Sequence, residues 1–353
     1  MNIEKWVFLG TGGTIAGSAG NAGDNVGYQA GQVGIEALLQ AALPAGQTAA
    51  SHWVCEQVAQ VDSKDMDFAT WTALAERCQH HLNHPQVAGI AITHGTDTLE
   101  ETAWLLHRLL ATAKPVVLTC AMRPASSAAA DGPQNLRDAV AVLTAPGACG
   151  VLVVAAGEIH SARQVQKLHP YRPNAFGSGD HGPLGWVEEG RVRLAQNWPP
   201  AQVQPALAAM KSIASGTPWP RVEIVMSYAG AQAATVQALV RDGVQGLVAA
   251  ATGNGTLHHA LEGALERAQA QGVVVRVASR CPLGHIVTAT GEGSPPQALL
   301  RLGGLSAVKA RVEVLLELLA GGAQPQVAAP ETAAAAPAAP ATAAAAPAHS
   351  GRG

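Results

Sequence analysis

The fold class follows from residues 6–17, WVFLGTGGTIAG, where a short apolar strand runs directly into a glycine-rich loop. Four consecutive apolar residues before a glycine are typical of a buried strand in an α/β protein. Gly12 and Gly13 then permit a tight turn that lets a ligand reach the Thr14 hydroxyl. The same residues are also compatible with a plain glycine turn that binds nothing.

Six further apolar segments have the length of strands, and helical patterns separate them. They are residues 87–92, 116–119, 151–155, 222–226, 246–251 and 273–277. Residues 135–143 have helical spacing between two of these segments. Such alternation of strands with helices predicts an α/β fold with parallel sheets.

A proline-rich segment divides the chain into two predicted domains. We place an N-terminal domain at residues 1–196, a linker at 197–220 and a smaller C-terminal domain at 221–321. The linker carries Pro199, Pro200, Pro205, Pro218 and Pro220. Residues 322–353 are rich in alanine and proline and contain few large apolar side chains, so we predict a disordered tail there.

Charge and composition exclude several classes of protein. The 353 residues include 22 Lys and Arg against 25 Asp and Glu, a net charge of −3, so no binding of nucleic acid is expected. No apolar run approaches the roughly 20 residues of a membrane helix, and the short apolar stretch after Lys5 does not suffice for a secretion signal. Five scattered cysteines without a CxxC pair predict reduced, mostly buried thiols and a cytoplasmic location.

Four polar loops follow four strands of the predicted N-terminal sheet. They are residues 10–17, 93–98, 121–124 and 158–167. The carboxyl ends of parallel strands share one edge of a sheet, and ligands bind at that edge. We therefore expect residues that are far apart in the sequence to meet there.

A helix is predicted to begin at Leu99, because residues 98–101, TLEE, have the form of a capping box. Its apolar face is formed by Leu99, Ala103, Leu106 and Leu110. Thr96 and Asp97 then lie beside the free backbone N–H groups at the start of the helix, which favour negative charge. Substrate carboxylates and developing oxyanions suit such a position.

Two nucleotide-binding motifs and a zinc site fail on spacing. After the Gly-x-Gly of residues 10–12, the third position of a dinucleotide fingerprint is Ile15, and no Gly-Lys-Ser/Thr follows for a P-loop. Histidines at positions 80, 81 and 84 lack a second ligand cluster at a spacing typical of zinc. We therefore expect no metal and no phosphate cradle.

The remaining chemistry is two threonine hydroxyls, an acid and a lysine. A threonine hydroxyl becomes a nucleophile when a base takes its proton, and a lysine serves as that base once burial or a neighbouring charge lowers its pKa. Thr96, Asp97 and Lys167 can form such a relay, with Asp97 orienting the amine. A surface role for Lys167 and a hydrolase pair of Ser161 with Lys167 are the alternatives.

These residues resemble the bacterial-type L-asparaginases, threonine amidohydrolases related to the glutaminase-asparaginases. The shared motifs are TGGTIAG at 11–17, THGTDT at 93–98, AMRP at 121–124 with ADGP at 130–133, the stretch 158–167, and TGNG at 252–255. The resemblance implies a larger N-terminal doubly wound parallel-sheet domain followed by a smaller C-terminal α/β domain, without a cofactor. It also implies a homotetramer built as a dimer of intimate dimers, with each active site between two subunits.

The resemblance assigns the catalytic roles residue by residue. Thr14 matches the nucleophile of the first half-reaction, and Tyr28 matches the tyrosine of a mobile lid that contacts this threonine. Thr96, Asp97 and Lys167 match a second catalytic group.

The resemblance also implies a set of substrate-binding residues: Asp62, Ser63, Gly95, Thr96, Asp97, Ala121, Asn254 and Glu292. Ser63 matches the serine that holds the substrate α-carboxylate, and Asp97 also receives the α-ammonium group. Asn254 reaches in from the partner subunit, and Glu292 aligns loosely with an acidic residue that crosses the interface in many relatives. Lys64 stands where many secreted members carry glutamine, so the preference for asparagine or glutamine stays open.

The activity implied by the resemblance is hydrolysis of L-asparagine to L-aspartate and ammonia through an ester on Thr14, with minor glutaminase activity. Two other functions stay open, namely hydrolysis of a different amide, such as one on a misacylated tRNA, and amino-acid binding without catalysis. The negative net charge disfavours the tRNA substrate. A nucleophile retained together with a base disfavours simple binding, and ammonia release distinguishes the two.

Overall fold

Strand β1, Lys5–Gly12, forms inside a large sheet because its apolar residues are enclosed on both faces. Val7, Phe8 and Leu9 have no exposed surface. The computed structural model describes residues 4–43, 52–110, 112–200, 206–287 and 299–321. Strand β1 pairs in parallel with β2, Trp53–Val61, on one side and with β3, Val87–Thr93, on the other.

Eight strands build this N-terminal sheet. Besides β1 to β3 they are β4, Pro115–Thr119; β5, Gly150–Ala155; β6, Glu158–Ser161; β9, Gly185–Glu188; and β10, Arg191–Leu194. The order β10-β9-β6-β5-β4-β3-β1-β2 contains a parallel block of β1 to β5, which the other three strands extend in antiparallel fashion. A separate hairpin pairs β7, Gln166–Lys167, with β8, Phe176–Gly177.

Helices cover both faces of the N-terminal sheet. Helices α1, Ile35–Ala42, and α4, Gly132–Leu143, pack on one face. Helices α2, Phe68–Leu82, and α3, Leu99–Leu109, pack on the other. Each helix directs an apolar stripe towards the strands, as the four residues expected for α3 do, all of which are buried. The predicted doubly wound architecture is therefore confirmed.

A smaller parallel sheet follows in the C-terminal part of the chain. Its strands are β11, Val222–Met226; β12, Gly246–Ala251; β13, Val274–Ser279; and β14, Leu300–Arg301, paired in that order. The helices are α5, Leu207–Ala214; α6, Ala234–Arg241; α7, His259–Ala270; and α8, Ala307–Leu319. Helices α6 and α7 cover one face of this sheet, whereas α8 covers the other and also contacts α3.

All seven strands predicted from the sequence are present, with bounds that differ by a few residues. The helix expected at Leu99 begins there, and residues 135–143 lie within α4. Strand β2 was missed because several of its residues are only partly buried. Strands β6, β9 and β10 were missed because each has four residues and none is a continuous apolar run. The domain boundaries at 196, 220 and 321 stay predictions, helix α5 lies within the predicted linker, and the predicted tail lies outside the described residues.

The cysteines are unpaired, as expected, but the prediction that most are buried is wrong. Cys78 and Cys120 are buried and Cys149 is intermediate, whereas Cys55 and Cys281 are exposed. Cys55 is exposed because it lies on β2, the edge strand of the large sheet. Among the described residues, no helix is long and apolar enough to cross a membrane.

Helix α8 provides a direct test of the shared core. Leu315 is fully buried in a cluster that contains residues of both sheets, so Leu315→Ala is expected to destabilise the protein by about 2–5 kcal/mol. Leu207→Ala is the control, because Leu207 is 54% exposed and a surface substitution changes stability by about 0.5 kcal/mol or less. Urea unfolding followed by fluorescence measures both, and equal midpoints for the two variants would contradict the packing described for α8.

Candidate active site

A backbone contact between Gly13 and Gly95 brings the first two polar loops together. Gly13 has a φ of 78°, a left-handed conformation that other residues rarely adopt. A Cβ atom on Gly13 would lie 2.3 Å from the Cα of Gly95, and one on Gly95 would lie 2.4 Å from Ser63 Oγ. Glycine at both positions therefore lets the loops after β1, β2 and β3 meet.

Thr14 begins a short 3₁₀ turn, Thr14–Ala16, directly after Gly13, and 7% of its surface is exposed. Its hydroxyl oxygen lies 2.6 Å from the hydroxyl oxygen of Tyr28. The segment that carries Tyr28 is held by a further hydrogen bond of 2.6 Å, from Ser127 Oγ to Asn25 Oδ1. The hydroxyl pair expected from the sequence is present, and its catalytic role stays a prediction.

Thr96, Asp97 and Lys167 form a second cluster. Lys167 Nζ donates hydrogen bonds to Thr96 Oγ1 at 2.8 Å and to Asp97 Oδ1 at 2.6 Å. Thr96 is buried, whereas the Asp97 side chain is 50% exposed and the Lys167 side chain 18% exposed. The structure thus brings together three residues separated by up to 71 positions, with the amine directed at a hydroxyl oxygen.

Ser63 binds the turn that precedes α3, and this arrangement replaces the predicted capping box. Ser63 Oγ accepts the backbone N–H of Asp97 at 3.1 Å, and its carbonyl accepts the Thr98 hydroxyl at 2.8 Å. Thr98 is the N-cap residue but caps no backbone N–H with its side chain. The predicted capping box is wrong because the Thr98 hydroxyl donates its hydrogen bond to the carbonyl of Ser63, 35 positions away.

A buried histidine supports the same turn, and sequence reasoning missed it. His94 has no exposed surface, and burial lowers its pKa to about 4, so the ring is neutral. Its Nδ1 donates to the Gly95 carbonyl at 2.7 Å, and its Nε2 accepts from the Thr102 hydroxyl at 3.0 Å. Trp71 Nε1 in turn donates to Thr102 Oγ1 at 2.9 Å. This chain of hydrogen bonds fixes the tautomer of His94 and the backbone next to Thr96.

The loop after β4 is held by two side chains from the start of α4. The Asp131 carboxylate accepts the backbone N–H groups of Met122 at 3.0 Å and Arg123 at 2.9 Å. Asn135 Nδ2 donates to the Cys120 carbonyl at 2.9 Å. Ala121, the predicted binding residue, lies between these anchors and is buried. Its neighbours therefore fix its backbone at the edge of the sheet.

Asp62 and Lys64 lie on either side of Ser63 in a short turn. Asp62 Oδ1 accepts the backbone N–H of Lys64 at 3.3 Å, so this carboxylate caps its own turn. Lys64 is exposed and forms an ion pair with Asp65. The hydrogen bond that Lys64 donates to Asp65 raises the pKa of Lys64, and the charges of Asp65, Asp62 and Asp97 add to this effect. The Lys64 cation is therefore close enough to Asp97 for the two charges to interact.

Asn254, one of the two predicted residues from the C-terminal part, is hydrogen-bonded to Val287 rather than to a residue of this cluster. Asn254 follows β12, and its side chain donates to the Val287 carbonyl at 2.8 Å and accepts from the Val287 N–H at 2.6 Å. Glu292 lies outside the described residues.

One of the histidines considered for zinc is bound to a carboxylate. His81 Nε2 lies 2.9 Å from Glu56 Oε2, which also bonds Arg77. Over the described ranges, no group of three or more His, Cys, Asp or Glu side chains is arranged to hold a metal ion.

Two family profiles match the chain. The one described as "Asparaginase, N-terminal" matches residues 5–200, and the one described as "Glutaminase/Asparaginase C-terminal domain" matches residues 221–329.

Individual proteins are similar along most of their length. The chain is 35% identical over 319 residues to "Probable L-asparaginase periplasmic" of Haemophilus influenzae, covering 90% of this chain and 89% of that protein. It is 34% identical over 320 residues to "L-asparaginase 2" of Escherichia coli K12, covering 90% of each. A crystal structure titled as a probable cytoplasmic L-asparaginase from Campylobacter jejuni superimposes with a TM-score of 0.79 at 34% identity, covering 89% of this chain and 95% of that one. The chain therefore belongs to the asparaginase family.

Proposed function

We propose that the protein hydrolyses L-asparagine to L-aspartate and ammonia, with Thr14 as the nucleophile. The observation that carries this proposal is the pairing of each threonine hydroxyl with a group suited to proton transfer. Thr14 pairs with Tyr28, and Thr96 pairs with Lys167. The loops that carry the two threonines touch at the Gly13–Gly95 contact. Similar proteins named L-asparaginase support the same chemistry.

In the first half-reaction, the Thr14 oxygen attacks the side-chain amide carbon of asparagine. Backbone N–H groups near Thr96 and Ala121 stabilise the oxyanion that forms. The carbon–nitrogen bond then breaks, the threonine proton reaches the departing nitrogen, and ammonia leaves. A β-aspartyl ester on Thr14 remains.

In the second half-reaction, water attacks the ester carbonyl. The group formed by Thr96 and Lys167 accepts a proton from this water, and the Thr14 oxygen regains a proton as the ester bond breaks. L-aspartate is released and Thr14 is restored. A lid that includes Tyr28 excludes bulk water during acylation, so that ammonia leaves before hydrolysis.

Substrate recognition uses the charges at the mouth of the site. Ser63 holds the α-carboxylate, and Asp97 receives the α-ammonium group on the oxygen that does not bond Lys167. Asp62, Gly95 and Ala121 are the other residues that line the substrate site. Minor activity on glutamine is included, because a 36% identical protein of Pseudomonas fluorescens, covering 82% of this chain, is named "Glutaminase-asparaginase".

We propose further that the protein acts as a homotetramer in the cytoplasm. The side chain of Asn254 is bound to Val287 rather than to the N-terminal cluster, which suits a role in a partner's site. Leu283 and Val287 nearby are exposed apolar residues, as expected of a surface that a second subunit covers. Five unpaired cysteines suit a reducing compartment. Light scattering at several concentrations tests the assembly, and a stable monomer that turns over would contradict it.

Thr14→Ala is expected to abolish ammonia release from L-asparagine, because no other group replaces the attacking oxygen. The control is Thr144→Ala, which removes a threonine hydroxyl from the exposed end of α4, where it bonds the Val140 carbonyl. Ammonia is measured with L-asparagine and with L-glutamine, and circular dichroism verifies folding of both variants. Full activity in Thr14→Ala would refute the nucleophile assignment, and a wild-type protein silent with both amides would instead favour a binding role or another amide.

Lys167→Met is expected to lower kcat by about 10²–10⁴-fold, because loss of the proton acceptor slows hydrolysis of the ester. Mass spectrometry of acid-quenched samples should then find the β-aspartyl ester on Thr14 at higher occupancy than in the wild type. Lys114→Met is the matched control, since Lys114 Nζ bonds the carbonyls of Leu82 and His84. A Lys167→Met enzyme with unchanged kcat would remove Lys167 from the mechanism.

Lys64→Gln is expected to lower the KM for L-asparagine about two- to fivefold, because a cation near Asp97 opposes the substrate ammonium group. The change should diminish in 0.5 M salt, which screens charges at the surface. Lys211→Gln, the same change of charge on the exposed side of α5, is the control. An unchanged KM at low salt would show that the Lys64 cation has no influence on binding.

A further inference from the structure

Lys309 on helix α8 is a fully buried lysine without a role in the proposed chemistry. It has no exposed surface, and burial lowers its pKa to about 7. Its Nζ donates a hydrogen bond of 2.8 Å to the Arg163 carbonyl and a short one to the Val165 carbonyl. Both carbonyls belong to residues 162–165, which lead through Gln166 into Lys167.

Lys309 bonds these carbonyls in a stretch, residues 162–165, that forms neither helix nor sheet. The N–H groups of Gln164 and Val165 both bond the Ser161 carbonyl, which closes a turn. Buried backbone carbonyls need partners, and the ammonium group supplies them to two carbonyls at once. A side chain of the C-terminal part thus contacts the chain just before Lys167.

Glu100 contacts the backbone of Lys167 itself. Its Oε1 accepts the backbone N–H of Lys167 at 3.3 Å, and its Oε2 accepts the Ser306 hydroxyl at 3.3 Å. Burial raises the pKa of Glu100, and the positive charge of Lys309 opposes that effect. Glu100 lies three residues after Asp97, so the first turn of α3 contacts the backbone of Lys167 and the residue just before the helix contacts its amine.

We propose that Lys309, together with Glu100, is a positioning residue that holds Lys167 at Thr96 and Asp97. This inference rests on the proposed function, because it gives Lys167 its catalytic role. A lysine side chain has about 2 kcal/mol of rotamer entropy, and a fixed backbone limits the positions that its amine can reach. Displacement of a catalytic group by about 1 Å can reduce the rate about a hundredfold.

The surroundings of Lys309 distinguish this role from general stabilisation. Four groups interact with it electrostatically: Glu100 from α3, Arg163 from residues 162–165, His107 and His160. Its hydrogen bonds go to carbonyls rather than to a carboxylate. Burial of a charge is costly, and an unbranched apolar side chain would fill the same space without that penalty. The cost is understandable if the two carbonyls must be held.

Helix α8 offers a matched control in the ion pair of Arg276 with Glu317. Both side chains are largely buried, and Arg276 also donates to the Val275 carbonyl. Arg276→Met therefore removes a buried cation from the surroundings of α8 without touching the segment before Lys167. A purely structural role for Lys309 predicts similar behaviour of Lys309→Met and Arg276→Met.

The test measures steady-state ammonia release and the acetylation rate of Lys167, with Lys114 as reference in the same sample. We expect Lys309→Met to lower kcat at least about tenfold, while its KM stays within about threefold of the wild-type value. We also expect Lys167 to be acetylated faster in this variant than in the wild type. Arg276→Met should keep kcat and the Lys167 rate within about twofold of the wild type. A Lys309→Met enzyme that matches Arg276→Met in both measurements overturns the proposal, as does loss of kcat without faster acetylation.

Two further comparisons test the proposal if Lys309→Met does not fold or if the wild type is inactive. If Lys309→Met does not fold, Glu100→Leu is compared with Glu100→Gln, which keeps an acceptor for the Lys167 N–H. A kcat at least about fivefold higher in Glu100→Gln than in Glu100→Leu supports the positioning of Lys167, and equal values overturn it. If the wild type releases no ammonia, the proposed function fails on its own, and acetylation of Lys167 alone decides whether Lys309 positions this lysine.

Discussion

The arrangement of the site depends on the backbone contact between Gly13 and Gly95, where no side chain fits. Because the two loops touch, Thr14 and Thr96, which directly follow these glycines, lie at the same edge of the sheet. Glycine loses more conformational freedom on folding than any other residue, so such a contact needs support. Hydrogen bonds from Gly13 N–H to the Val61 carbonyl at 2.8 Å and from Thr11 Oγ1 to the Thr93 carbonyl at 2.9 Å supply it. They tie the ends of three neighbouring strands together.

Much of this architecture is readable in the sequence because its signals are local. Apolar runs separated by helical patterns specify the parallel block, and parallel strands place their following loops at one edge. The same reasoning predicts from the sequence that Thr96, Asp97 and Lys167 lie at one edge of the sheet. It fails where a distant residue competes for a local group, as when Ser63 takes the Thr98 hydroxyl from the helix end. It also misses strands of four residues, whose position depends on pairing rather than on composition.

Residues that act through others escape sequence reasoning for the same physical reason. His94 follows a predicted strand and carries no motif-specific spacing towards Trp71 or Thr102, yet the three form one chain of hydrogen bonds. Burial keeps the ring neutral, and a neutral ring can donate from one nitrogen while it accepts at the other. A protonated ring would donate from both, and the contact with the Thr102 hydroxyl would have to reverse. The low pKa of His94 therefore keeps the direction of this network fixed.

The C-terminal sheet is connected to the site through helix α8. The apolar face of α8 packs on β12 and β13, while its opposite side directs Lys309 and Glu313 towards the N-terminal part. Glu313 accepts a hydrogen bond of 2.8 Å from Arg108 Nε, so α3 and α8 are joined by an ion pair as well as by apolar contacts. Helix α3 begins next to Asp97, and Lys309 holds the chain before Lys167. Any shift of α8 relative to α3 would therefore change the distance between the lysine amine and the acid it contacts, which couples packing of the second sheet to chemistry on the first.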